Sequence, residues 1–184
     1  KNEENNISTV VSQILSQDYP DFELIVIDDF SNDKTLENLH SFRDLKLIVL
    51  SADENIPGKK KALSQAIHAA KNELILLTDA DCSITSKLWI QSMAMAMIAS
   101  PQIEIVISIS PMSRNHNLVN LFSRFETILT AIQYSSYTLS GIPYMAVGRN
   151  LMYKKSLFHR IGGFQNHIDI ASGDDDLLIQ QGAN

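Results

Sequence analysis

The sequence predicts an α/β fold: a mostly parallel central sheet with helices on both of its faces. Three observations lead there. Short apolar runs alternate with helical periodicity at βαβ spacing, the runs are apolar along their whole length, and they empty into acid-rich turns. Strands buried on both faces read this way, whereas strands with one wet face alternate apolar and polar residues.

The elements follow in order. Ile7, Val10, Val11, Ile14 and Leu15 hold the spacing of a helix with one buried face, ended by Asp18-Tyr19-Pro20-Asp21. Phe22–Ile27 (FELIVI) is a strand, and Asp28 to Asp33 is a polar turn in which Ser31 or Asn32 could cap the next helix, which carries Leu36 and Leu39. Leu45–Leu50 (LKLIVL) is the second strand. After Pro57-Gly58, Lys60–Ala70 is a helix with Ala62, Leu63, Ala66, Ile67 and Ala70 inward. ELILL from Glu73 is the third strand, and a helix around Leu88–Ile98 leads to the strand Ile103–Ile109.

The second half has a different texture. Leu118, Leu121, Phe122, Phe125, Ile128, Leu129 and Ile132 form a long amphipathic helix, whose stripe is expected to be core or interface. Met145–Tyr153 reads as a strand, Lys154–Arg160 as a short helix, Gly162-Gly163-Phe164 as a tight turn against an aromatic, and Asp174-Asp175-Asp176 as a helix start. There is no repeat or linker. The expected organisation is one domain with two halves, 1–110 and 111–184.

Composition narrows the function. A net charge of −6 argues against sequence-independent nucleic-acid binding, which needs a basic footprint. The single cysteine, Cys82, excludes an internal disulfide and fits a reducing compartment, so a cytoplasmic setting is expected. No apolar run has the length of a membrane span. Both ends look cut, so the expectation leaves room for membrane association through segments outside this chain.

Ligands of open α/β sheets bind beyond the carboxyl ends of the strands. Two acidic clusters fall there. Asp79 and Asp81 are one residue apart in extended chain, so their side chains share a side. Such a pair is a hard-oxygen site for Mg²⁺ or Mn²⁺ shared with ligand phosphates, the bland alternative being an Asp turn with Asp81 capping a helix. Asp28 and Asp29 could accept hydrogen bonds from a nucleobase or ribose, or simply bond local backbone N–H groups. Lys59 opens a helix near a phosphate site, while Lys60 and Lys61 are expected in solvent. The acids of 174–176 either complement the helix dipole or supply a general base. The five histidines have no metal-ligand spacing, and Cys82 is expected to be a small buried side chain.

The order of these segments resembles the family 2 glycosyltransferases, an inverting group with the GT-A (nucleotide-diphospho-sugar transferase) fold. ELIVIDDFSNDKT is similar to the family's nucleoside-holding turn, GKKKALSQAI to its Gly-Lys helix start and TDADC to its D-x-D metal motif. GRNLMYKKSLFHRIGGF is similar to its acceptor-side segment, and SGDDDLLIQ to its Glu-Asp-x-Asp-Leu segment, with Gly173 where Glu is usual. The resemblance implies that Asp28 or Asp29 meets the base of a UDP- or GDP-sugar, that Asp81 binds a divalent cation with Asp79 assisting, and that Lys59 lies on the donor side. It further implies that Gly148, Asn150, Gly162 and Gly163 shape the acceptor and donor-sugar site. The base falls on Asp174, or on Asp175 if the register shifts by one. The implied partners are a nucleotide-diphosphate sugar and a glycan or lipid-linked acceptor. A nucleotidyltransferase and a non-catalytic sugar-nucleotide or glycan-binding domain are the alternatives.

Overall fold

The computed structural model describes residues 1–53, 58–165 and 173–182, apart from the side chain of Asp174. Pro57 and His167 lie outside the described residues. The order of elements is α1 (Ile7–Leu15), β1 (Leu24–Asp28), α2 (Thr35–His40), β2 (Leu47–Ser51), α3 (Lys59–Ala69), β3 (Leu74–Leu77) and α4 (Trp89–Ile98). It continues with β4 (Ile105–Ile107), α5 (Leu118–Leu139), a 3-10 turn (Gly148–Asn150), β5 (Leu151–Lys154), α6 (Lys155–Arg160) and α7 (Asp174–Gly182).

The fold is the expected α/β one, with a parallel pair and a late reversal. β1 and β2 pair in parallel, Leu24 opposite Leu47 through Asp28 opposite Ser51. β3 and β4 run in the same direction but do not touch, because β5 runs antiparallel between them. Strand side chains alternate, and the alternation sorts the core into two faces. Leu151 and Tyr153 join Ile67, Ile75, Leu157, Phe158 and Leu178 on one face; Met152 joins Met93, Ala94 and Met97 on the other. Burial on both sides explains why the first three residues of β5 are large and buried: Leu151 and Tyr153 have no exposure and Met152 has 2%. On the second face α1 packs Ile7, Val10, Val11 and Ile14 against Leu39 and Ile90, as its spacing requires.

Several expectations are corrected. The strand expected over Met145–Tyr153 begins only at Leu151, because the 3-10 turn precedes it. Neither Ser31 nor Asn32 caps α2. The cap position is Lys34, which makes no side-chain cap bond; Asp33 before it accepts the Thr35 N–H at 2.9 Å, and the Ser31 hydroxyl is bound by Asp28. Lys60 is 5% exposed rather than solvated, because it falls one turn before Leu63 and Ser64 and two turns before Ile67 on the inward side of α3. Of the two roles expected for the apolar stripe of α5, core or interface, it does not fill the first: Leu118 is 83% exposed and Phe125 60%.

The C-terminal half is tied to the rest by short polar contacts. Lys155 donates to the carbonyls of Ala70 (2.6 Å) and His68 (3.2 Å), placing a cation where the last carbonyls of α3 are otherwise unsatisfied. Arg160 forks onto Glu104, Nη1 to Oε1 at 3.0 Å and Nη2 to Oε2 at 2.5 Å, and this bond holds the Glu104 carboxyl below its usual range. Gly162 and Gly163 take φ of 77° and 58° in the turn after α6, where Phe158 and Phe164 meet edge to face at 5.1 Å.

A Cβ on Gly163 would lie 2.8 Å from Cζ of the buried Phe158, in addition to the left-handed backbone. Gly163→Ala is therefore expected to lower stability by at least about 1–2 kcal/mol, read as a reduced urea midpoint. An unchanged midpoint would show that this turn does not pack on Phe158.

Candidate active site

The site is assembled at one edge of the sheet by strand direction. β3 ends at Leu77, and Thr78-Asp79-Ala80-Asp81 follow. Leu77 pairs with Leu151, the first residue of the antiparallel β5. The 3-10 turn Gly148–Asn150 therefore lies at the edge where the acids emerge. β4 ends there too, since Ile107 also pairs with Leu151 and the Ser108 N–H donates to the Asn150 carbonyl at 3.1 Å.

Carboxylate oxygens of Asp79 and Asp81 and the sulfur of Cys82 lie within 4.8 Å of one another. A Mg²⁺-sized cation with ligands at about 2.1 Å spans at most about 4.2 Å between opposite ligands, so one ion can be shared by the two acids with little adjustment. The donor chemistry fits Mg²⁺ or Mn²⁺ through the two carboxylates; the soft sulfur is the poorer ligand for either. Cys82, expected to be a small buried side chain, is half-buried. Asp81 is exposed and Asp79 half-buried, leaving both open to a ligand. Lys59, the first residue of α3, brings its ammonium to 3.9 Å from Asp79. With the Lys59 side chain 64% exposed and that of Asp79 46%, this pair contributes little to stability and is free to reorganise.

Long-range polar contacts fix the loop that follows the acids. Gln13 accepts the Ile84 N–H at 2.7 Å. Gln17, 6% exposed, donates to the Ser86 carbonyl at 2.8 Å and accepts the Ile90 N–H at 3.2 Å, so it satisfies the start of α4 from the loop that follows α1. Asn150 accepts from Trp89 Nε1 at 2.9 Å and reaches the Ile109 carbonyl at 3.4 Å, which locks the 3-10 turn to α4 and the exit of β4.

At the end of β1 the two acids divide. Asp28 is 4% exposed and accepts the Ser31 N–H (3.0 Å) and hydroxyl (2.5 Å), so it holds the turn. The half-buried Asp29 carboxylate has no hydrogen-bond or ionic partner among the described residues. Phe30 next to it sits at φ 57°, a left-handed conformation that a bulky residue avoids and that concentrates at functional turns. The N-terminal segment braces this strained turn: the N–H groups of Asn2, Glu3 and Glu4 donate to Ser31 Oγ, Thr35 Oγ1 and Asp33 Oδ2.

Asp175 reaches the site through α7. Its carboxylate accepts the Gly148 N–H at 2.6 Å, and a Cβ at Gly148 would lie 2.2 Å from Asp175 Oδ1, so glycine there is a requirement of close approach. Asp174 opens α7, and its side chain lies outside the described residues. Gly162 and Gly163 are engaged in the turn against Phe158, and no described contact joins them to the acids. Beside the 3-10 turn, under α5, lies a cavity of ≈ 270 Å³ lined by Glu126, Thr130, Tyr134 and Arg149 among others. Burial pushes the Tyr134 phenol up, against the lowering effect of Arg149, so it stays neutral. Reading the sequence passed over Gln13, Gln17, Arg149 and Tyr134, because nothing in their local spacing marks contacts made so far along the chain.

The profile of the family described as Glycosyl transferase family 2 matches residues 1–162. The chain belongs to that family. Among curated family 2 relatives, the poly-β-1,6-N-acetyl-D-glucosamine synthase of Staphylococcus epidermidis is 35% identical over 86 residues, 45% of this chain and 20% of that one. The enzyme of the same name from Staphylococcus aureus is 28% identical over 188 aligned positions, 97% of this chain and 41% of that one. The chain thus spans less than half the length of these relatives. Among solved structures, Staphylococcus aureus TarS in complex with UDP-GlcNAc aligns with a TM-score of 0.66 at 23% identity, covering 98% of this chain and 50% of that one. A mannosyltransferase of Pyrobaculum calidifontis in complex with GDP-Man and Mn²⁺ aligns with a TM-score of 0.65 at 23% identity, covering 94% and 47%. This family 2 chain therefore has the GT-A fold.

Gln17→Ala leaves the buried Ile90 N–H and Ser86 carbonyl without their partner, a loss of about 1–3 kcal/mol. Amide exchange across residues 84–90 is expected to quicken, and exchange as slow as in the parent would show that Gln17 does not hold the loop.

Proposed function

We propose that this chain is the catalytic domain of an inverting glycosyltransferase, which moves a sugar from a UDP- or GDP-sugar to a hydroxyl of a glycan or lipid-linked acceptor. The observation that carries the reading is the junction of Asp175 with Gly148 at the edge where β3 delivers Asp79 and Asp81. It brings the acidic start of α7 beside a diphosphate-binding acid pair, which a binding-only domain does not need. Family membership and the nucleotide-sugar complexes of the structural neighbours support the donor class, and the relatives' names support a polysaccharide as product. The activity is expected on the cytoplasmic side, where sugar nucleotides are made.

In this proposal Asp29 accepts from the nucleobase while Asp28 holds the turn. Asp81, assisted by Asp79, holds the divalent cation. A Mg²⁺ or Mn²⁺ bound there neutralises charge on the departing diphosphate. Lys59 adds a second cation on the donor side. Asp174 is the general base: it takes the proton of the acceptor hydroxyl while that oxygen bonds to the anomeric carbon and the bond to the diphosphate breaks on the opposite face. Asp175, bound to Gly148, orients the start of α7. Gly148, Asn150, Gly162 and Gly163 act by shaping the backbone around acceptor and donor sugar. The two halves, 1–110 and 111–184, take donor and acceptor respectively.

Asp81→Asn is expected to abolish Mn²⁺-dependent UDP or GDP binding in calorimetry, and transfer with it. Binding equal to that of the parent would remove Asp81 from the metal site. Asp174→Asn is expected to keep donor binding and to lose at least about 10²-fold in kcat, the usual range for a missing general base. Normal turnover in that variant, with loss in Asp175→Asn, would move the base by one residue.

A further inference from the structure

α5 has two sides, and the described residues cover only one. Ala131 and Tyr134, 4% and 3% exposed, face the body, and the Tyr134 hydroxyl donates to the Ser108 carbonyl at 3.4 Å. The other side carries the stripe from Leu118 to Ile132, every member exposed, from 83% at Leu118 to 40% at Leu129. At roughly 150–200 Å² of surface per large apolar side chain, the stripe leaves on the order of 700 Å² of apolar surface on one helix face. The largest apolar patch of a monomer is ordinarily about 300–600 Å². A dimer interface of standard size takes roughly 800 Å² from each partner, and the stripe is close to that.

We propose that α5 pairs with α5 of a second copy of this chain, antiparallel, about a two-fold axis at Phe125. A two-fold interface must be complementary to itself. The stripe meets this condition, because its members lie three, four and seven residues on either side of Phe125. The axis sets Phe125 against its copy and brings Phe122 level with Ile128, Leu121 level with Leu129 and Leu118 level with Ile132 of the second copy. This three-four spacing is also the one that lets helices interlock. No ionisable residue lies on the stripe. Arg124 and Glu126 lie about 100° to either side of Phe125, so they border the seam without being buried in it. A lipid surface suits the helix less well: interfacial helices carry Lys and Arg on their polar face, whereas here one Arg stands with one Glu on a chain of net charge −6.

Sedimentation velocity of the 184-residue chain from about 1 to 100 µM is expected to show a dimer of micromolar or tighter affinity, as interfaces of this size give. Phe125→Glu puts two carboxylates face to face on the axis and is expected to weaken association at least about 100-fold, while the thermal midpoint holds because the site is exposed. Independently of that variant's folding, Phe125→Cys should give a disulfide-linked dimer under mild oxidation, and Thr127→Cys, on the covered side, should give no more than the parent with its Cys82. A parent that stays monomeric, undiminished association in Phe125→Glu, or failure of Phe125→Cys to cross-link would each overturn the pairing. So would a monomer that floats with phosphatidylcholine–phosphatidylglycerol vesicles through this face, which would assign the stripe to a membrane.

Discussion

The candidate site depends on β5 running antiparallel between β3 and β4. Had the last strand joined the sheet in parallel, Gly148 would sit at the opposite edge from Asp79, and α7 would start far from the acids. The reversal costs the uniform direction of the sheet. In exchange it brings three chain segments, separated by tens of residues in sequence, to one edge. The register is held by packing on both sides: Leu151 and Tyr153 fill one core and Met152 the other, so a slip by one residue would turn every side chain of β5 to the wrong face.

Around that strand, the site is stiffened by polar contacts rather than by further apolar burial. Gln17 and Gln13 hold the loop after Asp81, Asn150 holds the 3-10 turn, and Asp28 holds the β1–α2 turn. Asp28 acts within its own turn, whereas Gln13, Gln17 and Asn150 each satisfy groups on an element distant in sequence. The residues nearest the proposed chemistry, Asp29, Asp79 and Asp81, remain open to a ligand. Rigid surroundings and open acids are the combination a pre-organised site requires.

Much of this was legible in the sequence, where the signal is local. The periodicity of Ile7 to Ile14 and the unbroken apolar runs before Asp28 and Asp79 gave elements close to those observed, and the Gly162-Gly163 turn against an aromatic is where it was expected. The signal failed where partners are remote. MAVGRNLMY, from Met145 to Tyr153, looks strand-like throughout, but pairing with Leu77 and Ile107 begins only at Leu151. Lys60 looks like a solvated lysine in a run of three, yet its helical phase turns it inward. The stripe of α5 has the spacing of a buried face, and spacing alone cannot tell burial within a chain from burial between chains. Asp28 and Asp29 are indistinguishable as neighbours in sequence, and only the Ser31 contacts separate them.

The brace between the N-terminal segment and the β1–α2 turn bears on how such a domain could change its preference for one nucleotide over another. The Asp29 turn is not an independent loop: its shape is set jointly with Asn2, Glu3 and Glu4. Substituting the turn alone would leave backbone donors of the first segment without acceptors. Exchange of specificity therefore involves two separate stretches of sequence at once, and grafting either one without the other would transfer a loop stripped of its scaffold.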